Sequence, residues 1–147
     1  MNKKYKKVVL TGVFEILHPG HILFLQEAKK LGDELTVIIG RDKRLEKSKR
    51  KPVIPEDHRL EVLRGIKGVD RAILGDEDDI FKPIMQIKPD IIALGKNQHF
   101  DEDELKRELE RRGLDTKVVR LNKFREGGLN SSGKIIEAII KSRITRS

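Results

Sequence analysis

"KVVLTGVFEILHPGHILFLQEAKKLGDELTVIIG", residues 7–40, holds one complete repeat of the pattern that sets the fold. "KVVLTG" (7–12) and "ELTVIIG" (34–40) are short runs of β-branched and aliphatic residues, each closed by glycine, as buried parallel strands are. Between them, Ile22, Leu25, Ala28 and the neighbouring Leu31 fall on one face of a helix over residues 20–31. The turn "HPGH" (18–21) joins the first strand to that helix, and it uses two of the four histidines in the chain.

The same alternation continues outward. "RAILG" (71–75), "DIIALG" (90–95) and "TKVVRL" (116–121) read as further strands. "PEDHRLEVLRGI" (55–66) has a proline start and an acidic first turn, as helix N-termini favour. "DIFKPIMQI" (79–87) reads as a short helix with Pro83 in its first turn. "DEDELKRELERRG" (101–113) begins acidic and ends basic before Gly113. "NSSGKIIEAIIKSR" (130–143) has serine caps, and Ile135, Ile136, Ile139 and Ile140 are expected to form its core face. Strand, helix, strand, repeated, predicts an α/β fold: a Rossmann-like, doubly wound, five-stranded parallel sheet with helices on both faces. Residues 1–147 are expected to form a single domain, since no long linker or internal repeat divides them. The lysine-rich piece 41–55 is the longest irregular candidate.

Composition narrows the function. Apolar residues are 37% and charged residues 38%, and no apolar run approaches a membrane span, so a cytoplasmic protein without a membrane partner is expected. The absence of cysteine excludes disulfides, thiolate metal sites and a cysteine nucleophile. The net charge of +8 suits an anionic partner. Aromatic residues are 4%, too few for base-stacking platforms, and the basic residues are scattered, so no nucleic acid is expected. Small phosphorylated substrates fit better.

In a doubly wound sheet, ligands bind beyond the carboxyl ends of the strands, where strand order reverses. Those ends are Gly12, Gly40, Gly75, Gly95 and the segment 121–128, and several motifs fall there. Pro19 suits a first helical position, and Gly20 lets an anion approach the backbone. The helix N-terminus then offers unpaired N–H groups, and His18 and His21, three apart, can face the same way. A histidine cap with a packed second histidine is the ordinary alternative. In "EKSKRKP" (46–52), Lys47, Lys49, Arg50 and Lys51 form a positive arm that could close over a polyphosphate, with a solvated charge run as the ordinary alternative, and nothing ranks the three lysines. "KFREGGLNSSGK" (123–134) supplies Arg125, backbone amides and hydroxyls at the start of the last helix. Asn97, in "LGKNQHF" (94–100), can read a base or ribose. Glu15 is the only carboxylate near the histidines that could serve a metal.

These residues carry a family resemblance. "GVFEILHPGH" (12–21) resembles the G-T-F-D-x-x-H-x-G-H signature of the cytidylyltransferase-like nucleotidyltransferases, and "REGGLNSSGKI" (125–135) resembles their second signature, R-T-E-G-I-S-T-T-K-I. Within the family, "RKPVIPEDHR", "KPDIIALGKNQHFDEDELKRELERRGLD" and "NSSGKIIEAIIK" look most like the archaeal-type FAD synthase branch, the FMN adenylyltransferases. The resemblance implies that His18 and His21 hold the reacting phosphate, with Lys47 as a third catalytic group. It implies a nucleotide pocket of Gly12, Val13, Phe14, Pro19 and Gly20 on one side, Asn97 nearby, and Phe124, Arg125, Leu129, Ser131 and Ser132 on the other. Arg59 is implied to bind substrate and Glu15 to serve a metal, with Mg²⁺ or another divalent cation as cofactor. The partners implied are nucleotide and flavin substrates, and the dimers common in the family make a homodimer an open option.

The implied reaction is in-line attack by a phosphate oxygen of FMN on the α-phosphate of ATP, with no covalent enzyme intermediate. Two alternatives stay open. One is a cytidylyltransferase using CTP and glycerol 3-phosphate or a related acceptor. The other is an inactive nucleotide- or flavin-binding regulator, motivated by three departures from the signatures: Val13 for Thr, Glu15 for Asp, and Gly133 for Lys with Lys134 next; Asn130 for Ser is a fourth departure.

Overall fold

The computed structural model describes residues 4–47, 51–96, 98, 100–123 and 126–144. Five strands, β1 (Lys7–Gly12), β2 (Glu34–Ile39), β3 (Arg71–Leu74), β4 (Ile91–Leu94) and β5 (Lys117–Arg120), form one parallel sheet in the order β3-β2-β1-β4-β5. The helices are α1 (Pro19–Lys29), α2 (Asp42–Leu45), α3 (Glu56–Arg64), α4 (Phe81–Ile87), α5 (Glu102–Arg111) and α6 (Ser132–Ile144). No helix among the described residues is long and apolar enough to cross a membrane.

Alternation along each strand divides the core in two. Val8 and Leu10 of β1, Leu35, Val37 and Ile39 of β2, and Ile91 and Ala93 of β4 pack against Leu25 and Ala28 of α1 and Leu63 of α3. Val9, Ile38, Ile92 and Leu94 point the other way, against Ile84 of α4 and Leu105 and Leu109 of α5. Both faces of the sheet are therefore covered, as the unbroken apolar strand runs require.

Aspartates pin the amino ends of the strands. Asp33, Asp70 and Asp90 stand just before β2, β3 and β4 and accept the N–H groups of Lys6, Leu35 and Lys7, respectively. Burial raises the Asp70 pKa, but the Lys29 ammonium and the Leu35 N–H outweigh it, and the carboxyl titrates below its usual range. Gly32 lets the chain turn tightly here: a Cβ at this position would lie 2.7 Å from Val8 Cγ2 and 2.9 Å from the Lys6 carbonyl oxygen.

Two expectations are corrected. The piece 41–55 is less irregular than its composition suggests: it contains α2, and Pro52 is buried. More consequentially, the four isoleucines of α6 do not form a core face. No residue of α6 is buried, and Ile139 and Ile140 are more than half exposed. The two sheet faces are already occupied by α1 and α3 on one side and α4 and α5 on the other. The apolar stripe of α6 has no sheet surface left to cover.

Candidate active site

Strand order reverses between β1 and β4, so the crevice above Gly12 and Gly95 is where such a sheet accepts a ligand. A cleft of about 590 Å³ lies there. Its floor is Thr11, Gly12, Val13 and Phe14, following β1; one wall is His18, Gly20, His21 and Phe24; the other is Gly95, Lys96 and Gln98 from the end of β4; and Lys123, Asn130, Ser131 and Lys134 close it.

The two histidines build the start of α1 and present donors at the same time. His18 is the N-cap, and its Nδ1 accepts the Gly20 N–H at 3.1 Å. His21 Nδ1 accepts the His18 N–H in return, at 3.3 Å. The pair is a reciprocal capping box in which imidazoles replace the usual hydroxyl and carboxylate. Because each Nδ1 accepts, each neutral ring carries its proton on Nε2. The ordinary reading of His18 as a helix cap is thus correct, and it leaves the donor face of both rings available for an anion. The ring centroids are 3.9 Å apart, and Phe14 sits 5.4 Å from His21. Phe14 takes a positive φ of 52°, which turns the chain sharply after the strand.

Burial lowers the pKa of His18, and burial followed by the neighbouring His18 lowers that of His21 to about 4. Both rings are therefore neutral at pH 7. The stability consequence has a definite sign. As pH falls below 6.5 the unfolded chain takes up a proton at His21, whereas the folded chain resists until about 4. This group therefore costs stability as pH drops through that window. The melting temperature of wild-type protein should fall more between pH 7 and pH 5 than that of His21→Gln, whose amide oxygen can keep the cap. Equal falls would remove His21 as the source.

Most residues expected near the histidines do converge: Gly12, Val13, Phe14, Gly20 and Ser131 line the same cleft. Ser131 Oγ also accepts the Lys134 N–H at the start of α6. Others stand elsewhere. Pro19 is exposed beside Leu17 and Ile22 on the outer side of the turn. Ser132 donates to the Ile16 carbonyl, and Leu129 is 54% exposed off the cleft walls. Lys47 is exposed after α2, and Lys51 pairs with Glu46. Asn97, Phe124, Arg125 and Lys49 lie outside the described residues.

Arg59 differs most from its expected role. Its side chain is fully buried, and its guanidinium donates to the carbonyls of Ile54 and Val13 and to Asp42 Oδ1. It braces the turn after β1 through the Val13 carbonyl and is not among the residues that line the cleft. Glu15 also has a structural partner, the Val53 N–H. Among the described residues, no group of three His, Cys, Asp or Glu is arranged to hold a metal ion. These residues do not fit a cation held by the protein at Glu15.

Sequence reasoning passed over Thr11, Phe24, Lys96, Gln98, Lys123 and two of its own noted departures, Asn130 and Lys134. A signal existed for some of them, since Lys96 and Gln98 come just after β4 and Gly95, in the motif that supplied Asn97.

A second cavity, about 240 Å³, opens on the other side of Gly12 and Val13. Ile38, Ile39, Leu45, Ile80, Phe81 and Ile84 contribute to its largely apolar lining, with Arg41 and Arg44 at its edge from the β2–α2 segment. Thr11, Gly12, Val13 and Gln98 line both cavities and form the partition between them.

A doubly wound sheet with neutral histidine donors at a helix N-terminus, beside a lysine-lined cleft, defines a nucleotide-binding protein of the α/β class. The particular family follows from comparison: residues 9–139 match the cytidylyltransferase-like model, and the chain belongs to that family. It is similar to the FAD synthase of Archaeoglobus profundus, 59% identical over 94% of this chain and 90% of the relative, and to that of Archaeoglobus fulgidus, 59% identical over 89% and 95%. A solved structure described as the lipopolysaccharide core biosynthesis protein of Thermoplasma volcanium superposes with a TM-score of 0.80 at 46% identity, covering 83% of this chain and 100% of that one. Pantothenate synthetase of Thermus thermophilus, at 14% identity and a TM-score of 0.64 over 94% of this chain and 64% of that one, shares the fold.

Proposed function

We propose that the chain transfers the AMP moiety of ATP to FMN, giving FAD and pyrophosphate. The observation that carries this reading is the pair of cavities meeting at Gly12, Val13 and Gln98, one lined by histidines and lysines and the other almost wholly apolar. The histidine- and lysine-lined cleft suits a nucleoside triphosphate. The apolar pocket suits a flat ring system far better than glycerol phosphate, which favours FMN as acceptor. The names of the relatives support the same substrates.

In this reading a phosphate oxygen of FMN forms the new P–O bond to the α-phosphorus of ATP, and the bond to the β-phosphate oxygen breaks. The electron pair leaves with pyrophosphate. The protein's part is positioning and charge stabilisation. The Nε2–H groups of His18 and His21 donate to the α-phosphate oxygens, and the amino end of α1 adds its partial positive charge. Neutral rings suit this role, because they donate without exchanging a proton. Lys96, Lys123 and Lys134 offset the charge of the triphosphate. A divalent cation enters with the ATP phosphates as part of the substrate.

Placing a carboxylate in the apolar pocket tests the acceptor assignment. Ile80→Glu should raise KM for FMN at least tenfold, since a buried charge opposes an aromatic ligand, and leave KM for ATP near the wild-type value. A rise confined to ATP, or no rise for either, would place the flavin elsewhere.

A further inference from the structure

Arg120, at the end of β5, is not among the residues that line either cavity, yet its side chain makes four hydrogen bonds in this region. Its guanidinium donates to three main-chain carbonyls of one segment: Gly95 at 2.7 Å, Gln98 at 3.1 Å and Phe100 at 2.7 Å. Its Nε pairs with Glu102 in the first turn of α5. The segment it grips is the one that reaches the partition between the cavities. Gln98 Oε1 accepts the Gly95 N–H at 2.9 Å, and Gln98 Nε2 donates to the Thr11 carbonyl at 3.0 Å. A continuous run of bonds thus leads from β5 through the end of β4 to the last turn of β1, across the point where strand order reverses.

We infer that Arg120 is a positioning residue for the transfer reaction: by holding the carbonyls of Gly95, Gln98 and Phe100 it fixes Gln98 as the shared wall of both substrate cavities. The inference rests on the assignment of those cavities to ATP and FMN. A planar fork with five donors can span three carbonyls and a carboxylate at once, whereas an ammonium cannot hold that spread. Loosening the segment therefore disturbs both cavities together, while a residue lining only one of them affects one substrate.

The test is a steady-state comparison of wild type, Arg120→Lys, Gln98→Ala and the double variant, with melting temperatures measured alongside. Arg120→Lys is expected to raise KM for ATP and for FMN by about tenfold each, the loss expected for hydrogen bonds made by a charged group. In the Gln98→Ala background, which already lacks the wall, the same substitution should add little. A purely structural role would reduce the amount of folded enzyme, seen as a lower kcat and melting temperature with KM unchanged. That result, a rise for one substrate alone, or full additivity in the double variant would overturn the inference. Wild-type protein that forms no FAD would overturn the substrate assignment and the inference with it; active wild type with unaltered KM in Arg120→Lys overturns the inference alone.

Discussion

His18→Asn should lose about 10²–10³ in kcat while α1 remains capped. Asparagine is a good N-cap, so its side-chain oxygen can accept the Gly20 N–H that His18 Nδ1 accepts now. It cannot reproduce the Nε2–H on the far side of the ring. The substitution therefore separates the two jobs that this residue does. His18→Ala and His21→Ala should show similar losses in rate with an added destabilisation of about 1 kcal/mol each, the usual cost of an uncapped helix start. Because both rings cap the same helix start and serve the same phosphate, the double variant should fall short of the product of the two rate losses. The check is single-turnover kinetics with a thermal melt of each variant. Near-normal turnover in His18→Asn would reduce the pair to a helix cap.

Arg59→Met should cost about 3–5 kcal/mol, the range for breaking a buried ion pair by removing one partner. Three acceptors lose their donor at once: Asp42 Oδ1 and the carbonyls of Val13 and Ile54. Methionine fills much of the volume but offers no hydrogen, so the loss is electrostatic rather than a cavity. Asp42 keeps some contact with solvent, its side chain being 29% exposed, which places the expected value toward the lower end. For a chain of this length the melting temperature should drop by roughly 10 °C. Arg59→Lys should recover part of it, since the ammonium can reach Asp42 but not all three acceptors. A drop of only a degree or two would mean that the bonds to the turn after β1 contribute little.

Those two residues also show what the sequence could and could not tell. The strands were legible almost to the residue, because runs such as "TVII" and "IIAL" sit between aspartate and glycine, and the aspartates accept main-chain N–H groups of the neighbouring strand. The histidines were legible because two of them, at a strand-to-helix turn, stand out against a background with few others. Arg59, to which the resemblance gave a substrate role, stands instead as a buried brace, and nothing in its motif announced that. The clue lay outside the motif, in its position four residues before Leu63, which puts both on the buried face of α3. The isoleucines of α6 misled in the opposite direction. Their spacing gives an apolar stripe, but spacing does not reveal that the sheet faces are already filled. Gln98 and Arg120 were invisible because their importance lies in bonds between segments distant in the chain.

The apolar pocket was likewise beyond a reading of motifs, since its walls come from the ends of β2, β3 and β4 and from α4 and α5. It shares Thr11, Gly12, Val13 and Gln98 with the histidine-lined cleft, and the proposed reaction uses that shared wall to hold two substrates side by side. Nucleotidyl transfer needs the attacking phosphate and the α-phosphorus brought together in line, and in the proposed reaction the two adjoining cavities would hold the two substrates next to each other.

The most direct test is to incubate purified protein with Mg²⁺ and either ATP with FMN or CTP with glycerol 3-phosphate, following pyrophosphate and flavin products together. Adenylyl transfer predicts pyrophosphate and FAD appearing in equal amounts from ATP and FMN, and from no other pair. Pyrophosphate from CTP and glycerol 3-phosphate, or tight binding of ATP and FMN without release of pyrophosphate, would contradict it.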